Sequence, residues 1–509
     1  MSETVLIAIL GILILFLFLG RKNEKISRSH EHSLDPVSAA ILLSETDPQR
    51  CAQVNIVSLI VFEEKLGYED FRDRFIENLV LTDKDSRFLY RLVFSPLLRR
   101  VKWVKAEGWD PFENCDVVLE PQTLETAKLL VGARLSAPLP LSQPLWSMQF
   151  ISAFETNSGK SVSAVILTVH HSIGDGFTLC HQIMRRSVPL EKEMSLSECY
   201  PFKTASRSLH GFSFLNYFKS MYGVISTSSK LLSMRPDAVS ELRNSSPRTL
   251  DEKIISDLIE LPFKVEEIKS IAEKAQLLVP KSDISDKISF NDIIVSAITL
   301  SFGELMELKR DVTSAIWVAL NRRSILERPS YRRLDWGNNC LGTAYIKLPI
   351  SESDPVKNLI ECHSRLKELK HSSEPIVANW ILKFLGSIPL RIIWPFRDFL
   401  LNKMSVSISN FPGPVRQIRF PVAPDGAANR TFRGVGTVES AYFSVAPPFS
   451  YGPYVTILSY NGKIFLALAV AERLIKEGTV TDLVHCKIPD SIRRLDKAFQ
   501  SSLETKQLI

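Results

Sequence analysis

The sequence predicts a mixed α/β (α+β) protein of two or three lobes, on three observations. Short β-branched runs such as Asn55–Phe62 (NIVSLIVF) and 163–169 (SAVILTV) read as strands, and from Ser33 onward such runs alternate with helical patterns such as 68–79. The 509 residues are 45% hydrophobic and 23% charged, with 21 Gly and 28 Pro. That is ordinary globular usage; it excludes low-complexity, collagenous and all-membrane chains and leaves enough length for a large buried core. Between 204 and 248 the text turns Ser-, Arg- and Lys-rich around an aromatic stretch (FSFLNYFKSMYGVIS), as expected of a connection between lobes.

In chain order the first element is an uncharged 16-residue run, 5–20 (VLIAILGILILFLFLG). At helical rise it spans about 24 Å, which suits a thin bilayer such as that of the endoplasmic reticulum. A cleaved signal peptide competes with this reading, but only Glu3 is charged ahead of the run and no A-x-A-like site follows it, which favours a retained transmembrane anchor. Arg21, Lys22, Lys25 and Arg28 come next, and basic clusters stay on the cytoplasmic side, so the body is expected in the cytosol. The sequons at Asn244 and Asn429 are then expected to be unmodified. The expected division is an anchor at 1–20, a basic linker at 21–33, a first lobe at 34–203, a connection at 204–249, a second lobe at 250–495 and a tail at 496–509. Two further stretches, 212–225 and 377–401, are unusually apolar with isolated Lys and Arg. They fit a core helix or an in-plane membrane contact equally well.

Lys plus Arg number 62 against 56 Asp plus Glu, an excess too small and too dispersed to mark a nucleic-acid groove, though it favours anionic ligands or membrane surfaces. The seven cysteines (Cys51, Cys115, Cys180, Cys199, Cys340, Cys362 and Cys486) are scattered, odd in number and never in a CxxC pair. That pattern speaks against a zinc ribbon or a secreted disulfide framework and for a reducing compartment.

Common catalytic signatures are missing. Gly159-Lys160-Ser161 has the end of a P-loop, but Phe154 stands where its first glycine belongs. No GxSxG or HExxH string occurs, and Gly434-Val435-Gly436 lacks a third dinucleotide glycine. What remains is His170-His171-Ser172-Ile173-Gly174-Asp175-Gly176, directly behind the strand at 163–169 and ahead of a helical pattern that begins near Phe177. Neighbouring side chains at a strand end project to opposite faces, so only one of the two histidines can face a given channel. A neutral imidazole is well matched to take a proton from an alcohol at neutral pH, and the glycines let the following backbone turn sharply near a ligand. The duller readings are a hydrogen-bonded structural histidine and, for Asp175, the cap of the following helix, which is the role expected of it. Cys180 lies on an apolar helical stretch without an activating partner and reads as packing rather than a nucleophile.

At this string the chain resembles the HHxxxDG acyltransferase superfamily, and more narrowly the bifunctional wax ester synthase/diacylglycerol acyltransferase family. Other elements carry the same resemblance: Leu34-Asp35-Pro36, Pro144-Leu145-Trp146 as the PLW element, and Asn291-Asp292 as the ND element. Ser409-Asn410-Phe411-Pro412-Gly413-Pro414 stands for SNVPGP, and a strand pair at 455–470 completes the set. Together they cover about 34–484.

The resemblance implies two chloramphenicol-acetyltransferase-like lobes with the active site in a channel between them. It implies His171 as general base, His170 as its supporting neighbour, and Asp175, with Gly176 behind it, holding the loop through an ion pair with an arginine. Asn291, Asp292, Ser409 and Asn410 would shape the channel together with Pro144, Leu145 and Trp146, Asn410 and Asn291 being the candidates for oxyanion donors. For Asn291-Asp292 the competing reading is a helix start, and for the Pro-Gly segment a tight turn. The implied activity is transfer of a long-chain fatty acyl group from acyl-CoA, a substrate rather than a cofactor, to a lipid hydroxyl, with no metal. A long-chain alcohol is the first expectation for the acceptor and diacylglycerol the runner-up; the membrane bilayer is an expected partner and nucleic acid is not. A non-catalytic acyl-CoA or lipid binder is the competing class, although a binder has no need of an imidazole beside the thioester. A donor carried on protein-bound pantetheine, as in peptide-synthesising condensation domains, is compatible by fold.

Overall fold

Apolar β-branched runs pair into three sheets in the computed structural model, which describes residues 31–43, 54–81, 86–94, 101–189, 226–227, 229–230, 233–243, 252–279, 286–306, 310–319, 339, 341–372, 374–386, 402–422, 434–447 and 452–507. The strands are β1 (Glu31–Ser33), β2 (Asn55–Phe62), β3 (Tyr90–Phe94), β4 (Val101–Lys105), β5 (Cys115–Val118), β6 (Gln122–Thr123), β7 (Trp146–Glu155), β8 (Ser161–His170) and β9 (Val188–Pro189). They continue as β10 (Ile254–Lys264), β11 (Val312–Ala319), β12 (Leu341–Leu348), β13 (Val406–Pro412), β14 (Ile418–Phe420), β15 (Gly436–Val445), β16 (Tyr454–Tyr460) and β17 (Lys463–Ala471). The helices are α1 (Pro36–Leu43), α2 (Tyr68–Phe75), α3 (Leu124–Ser136), α4 (Gly176–Arg185), α5 (Val265–Leu278), α6 (Phe290–Leu305), α7 (Pro355–His371), α8 (Glu374–Leu385), α9 (Glu477–Asp482) and α10 (Ile488–Gln507).

One sheet runs β5-β7-β8-β2-β15-β14-β9 with β6 beside β7, a second runs β10-β17-β16-β13-β11-β12, and a small one runs β1-β4-β3. Sheet membership does not follow the expected lobe boundary at 204–249. β15 lies antiparallel to β2, Tyr442 opposite Leu59, so residues from the second half of the chain extend the first sheet. The reason is topological. β13 and β16 are parallel neighbours, and parallel neighbours need a long crossover; here the crossover travels through β14 and β15 in the other sheet.

Helix α3 packs on β10. A Cβ at Gly132 would stand 2.8 Å from the Ile254 carbonyl oxygen, so only glycine allows this approach. Ser136 Oγ accepts from Ile254 N at 2.8 Å. Beside this seam Lys128 Nζ lies 3.5 Å from Asp257, which also accepts from Leu258 N and Thr481 Oγ1, each at 2.8 Å, and meets His485 Nε2 at 3.0 Å.

Helix α10 crosses the expected boundary between the second lobe and the tail. Its Ile492, Leu495 and Phe499 are buried, so the helix runs on past 496 and Phe499 of the expected tail packs on the core. Likewise 31–33, placed in the basic linker by the sequence, pairs with β4. The described part of 377–401 is core: Val377, Ile381, Phe384 and Leu385 of α8 are buried. The remainder of that stretch from 387, the stretch at 212–225, the expected anchor at 5–20 and both sequons lie outside the described residues. Among the described residues no helix is long and apolar enough to cross a membrane.

Candidate active site

Strand β8 lies between β7 and β2 and delivers the two histidines to its end. The amide of His170 donates to Leu145 O at 3.0 Å and the next amide, His171, to Val54 O at 2.9 Å, so the two residues are tied to opposite neighbours. The side chains divide as strand geometry predicts. His170 is fully enclosed (0% exposed), its Nδ1 accepting from Ser172 N at 3.1 Å and lying 2.6 Å from Ser172 Oγ. An Nδ1 that accepts a backbone N–H carries no proton, so this imidazole braces the turn and its own proton sits on Nε2. His171 keeps part of its surface open. Its Nδ1 is enclosed and makes no hydrogen bond among the described residues. Burial lowers the pKa of this ring below the ordinary imidazole value, against the opposing pull of the Asp175 carboxylate. The ring is therefore neutral at neutral pH, with a lone pair able to take a proton.

The loop after His171 is held by its carbonyls. Arg87 donates to Ser172 O at 3.0 Å and to Ile173 O at 3.3 Å, and its other amino group meets Asp35 at 3.2 Å. Asp35 caps α1, accepting from Ser38 N at 3.0 Å, and Ser38 Oγ donates to its second oxygen. Asn339 Nδ2 in turn donates to Ser38 Oγ and to His171 O, both at 2.8 Å. Among the described residues the arginine seated on this loop is thus Arg87, and the carboxylate that holds it is Asp35 of the Leu-Asp-Pro element. Asp175 has the capping role expected of it, its Oδ1 accepting from Thr178 N at 2.8 Å at the start of α4.

Gly176 lies at the edge of a cavity of about 110 Å³. Its wall comes from α4 (Leu179, Cys180, Ile183), β2 (Ile56, Ile60), β15 (Ala441, Tyr442) and β16 (Leu458), and holds no charged side chain. Phe411 completes it; its ring stands 4.0 Å from where a Cβ on Gly176 would be, so the HHxxxDG loop and the SNFPGP strand meet here. His171 is not part of this wall; it lies five residues back along the loop whose end is Gly176. A wall of this polarity suits an alkyl chain. Cys180 stands in the wall, whereas burial pushes the thiols of Cys115 and Cys362 up to about 12, where neither is a nucleophile.

The other expected residues separate into two groups. Asn410 Nδ2 donates to Asn291 Oδ1, which joins the SN and ND elements across β13 and the start of α6. Ser409, beside them, hydrogen-bonds the buried Tyr454 phenol. Asp292, by contrast, is turned into the core. It accepts from Ser289 N and Oγ as a capping box, 3.3 Å from buried His363, so the helix-start reading holds for it and the channel does not. Pro144-Leu145-Trp146 also lies in the core rather than the cavity wall. Leu145 and Trp146 are buried, Trp146 Nε1 donates to Phe88 O at 2.9 Å, and its ring packs against Phe75, Phe88 and Trp109. The element acts by holding His170 through the Leu145 carbonyl. In SNFPGP, a Cβ at Gly413 would stand 2.4 Å from Ser459 O, so the glycine is required by the close approach of β13 and β16. Gly159-Lys160-Ser161 belongs to the β7–β8 hairpin turn, with Gly159 at φ +77°. Sequence reasoning missed Ser38, Arg87 and Asn339 as parts of the site and gave Ser172, though quoted within the string, no role; Asp35, quoted as a motif, pointed toward Ser38 and Arg87.

Comparison with known proteins bears on the fold and on the second half of the chain. Residues 336–486 match the family model described as WS/DGAT C-terminal domain. Wax ester synthase/diacylglycerol acyltransferase 1 of Arabidopsis thaliana is 22% identical over 345 residues, 60% of this chain and 64% of its own length. Among solved structures, the wax ester synthase/diacylglycerol acyltransferase from Marinobacter aquaeolei superposes with a TM-score of 0.57 at 15% identity, covering 92% of this chain and 100% of the other. Trichothecene 15-O-acetyltransferase from Fusarium sporotrichioides gives 0.59 at 11% identity over 94% and 97%. The structural likenesses show a shared two-lobed fold. The family match thus lies in the second half of the chain, the HHxxxDG loop stands in the first, and the chain is similar along its length to wax ester synthase/diacylglycerol acyltransferases.

Proposed function

We propose that this protein is an acyl-CoA-dependent O-acyltransferase that moves a long-chain fatty acyl group to a lipid hydroxyl, a long-chain alcohol first and diacylglycerol as the alternative. The observation that carries the reading is a neutral, half-open His171 joined by one short loop to an uncharged apolar cavity. The cavity takes an alkyl chain and the loop brings its reactive end to the ring.

In the reaction the hydroxyl proton passes to the free ring nitrogen of His171 as the oxygen attacks the thioester carbonyl. The carbon–sulfur bond then breaks and the imidazolium returns the proton to the departing thiolate, giving ester and free coenzyme A. No covalent enzyme intermediate and no cofactor are needed. General base catalysis contributes about 10² to 10⁴, so alignment of the two substrates must supply much of the rest. Asn410 and Asn291, locked to each other, are the proposed donors toward the developing oxyanion. The run at 5–20 would anchor the protein in the endoplasmic reticulum membrane with its body in the cytosol, where greasy acceptors concentrate.

The acceptor is tested by offering the full-length protein in membranes labelled palmitoyl-CoA with hexadecanol, diacylglycerol and cholesterol in competition. Label is expected chiefly in wax ester. Label in triacylglycerol alone would reassign the acceptor, and no ester from any of the three would overturn the enzymatic reading.

A further inference from the structure

Two buried polar atoms at the site lack partners among the described residues, and they belong to neighbours. One is His171 Nδ1; the other is Asn339 Oδ1. Asn339 is 1% exposed, and both hydrogens of its amide nitrogen are committed at 2.8 Å, one to Ser38 Oγ and one to the carbonyl oxygen of His171 itself. The amide is thereby fixed against the residue whose ring nitrogen is unsatisfied, with only its acceptor unused. An enclosed donor and an enclosed acceptor left unmade are each costly, and pairing them removes both costs.

We infer that Asn339 is a positioning residue for His171: its Oδ1 accepts the proton of Nδ1, fixes the Nδ1–H tautomer, and so leaves the lone pair of Nε2 to receive the hydroxyl proton. Which nitrogen of a histidine carries the proton is decided by the hydrogen bond that the other makes. The Asn339 side chain also acts on the ring as an acceptor does, favouring its protonated form. The other groups acting on the ring are Asp175, which favours the protonated form, and His170, which opposes it; the Asp35–Arg87 pair lies beneath the same loop. The ring's own carbonyl, which also favours the protonated form, is the rival acceptor; it receives the Asn339 amide and keeps a second lone pair, so ring shifts unchanged in Asn339→Ala would assign the bond to it. Residue 339 reaches this position from the second half of the chain, so the base in the first half is oriented from across the lobes. The catalytic meaning of the tautomer rests on the proposed acyl transfer, but the hydrogen bond itself does not.

The test therefore reads the ring rather than the turnover. Protein labelled with ¹⁵N-histidine is titrated by NMR, the His171 signals being assigned by their loss in His171→Gln. In the wild type Nδ1 is expected to show a protonated, pyrrole-like shift and Nε2 a pyridine-like one. Asn339→Ala should lose that distinction and lower the titration midpoint of the ring. Asn339→Asp, which keeps the acceptor and adds negative charge, should keep the Nδ1–H signature and raise the midpoint. A wild-type ring protonated on Nε2, an alanine variant with unchanged shifts, or, if the alanine variant fails to fold, an aspartate variant with an unmoved midpoint would each overturn the inference. Loss of ester synthesis alongside unchanged ring shifts would point to another role for Asn339, and absence of ester synthesis in the wild type would count against the proposed function alone.

Discussion

Burial and a nearby carboxylate pull the His171 ring in opposite directions, burial lowering its pKa and Asp175 raising it. A base is active when neutral, so the acid limb of kcat/KM is expected below the ordinary imidazole value of about 6.5. Asp175→Asn tests the second influence alone, because asparagine caps a helix as well as aspartate does while carrying no charge. Without the carboxylate the ring stays neutral further into acid, so the limb should move to lower pH with little loss of stability. A limb that stays in place or moves upward would show that the Asp175 charge does not act on the base. At this scale the sequence made His171, His170 and the Asp175 cap legible, since they sit within one string. The side chains that hold the string were not legible. Arg87, Ser38 and Asn339 reach it across separations of 85 to 168 residues, with no local pattern to mark them.

Elements carry the cavity. β15 supplies Ala441, Tyr442 and Phe443 to its wall, opposite α4. Ala441→Phe should fill part of the space meant for the alkyl chain and raise kcat/KM for short acyl-CoA relative to palmitoyl-CoA, at a cost of about 1–3 kcal/mol in stability from overpacking. An unchanged chain-length profile in a folded variant would separate this cavity from the substrate. Periodicity made the strands legible: β2 has the predicted bounds, and the strand pair at 455–470 is the β16–β17 hairpin, turned by Asn461 and Gly462 with φ of 49° and 74°. The helix expected at 68–79 is α2 followed by a wider turn, Ile76–Val80. Misplaced in the sequence reading were Asp292 and the PLW element. A motif's presence near a site does not say which face its side chains take, and burial turned these into the core.

On the scale of the whole molecule the two halves of the chain are interleaved rather than merely adjacent. β14 and β15 leave the second sheet to join the first, and α3 closes on β10 through Gly132. Asp257 lies at this seam. Burial raises its pKa, but hydrogen bonds from His485 and Thr481 and the charge of Lys128 outweigh that and hold it below the usual carboxylate range. The exchange of strands was not readable in the sequence, because β2 pairs with β15 nearly four hundred residues away and hydrophobic alternation alone cannot name a strand's partner. The interleaving sets His171, from the first half, against the Asn339 amide of the second, and adds β15 to the sheet that carries the histidines. The most direct measurement of what that arrangement does is ester formation from labelled palmitoyl-CoA by wild-type protein and by His171→Ala, with melting temperature and near-UV circular dichroism as checks on folding. The wild type should make ester and the variant should lose activity by about 10² to 10⁴ while melting normally; ester formation by a folded His171→Ala variant at the wild-type rate would contradict the assignment of the base.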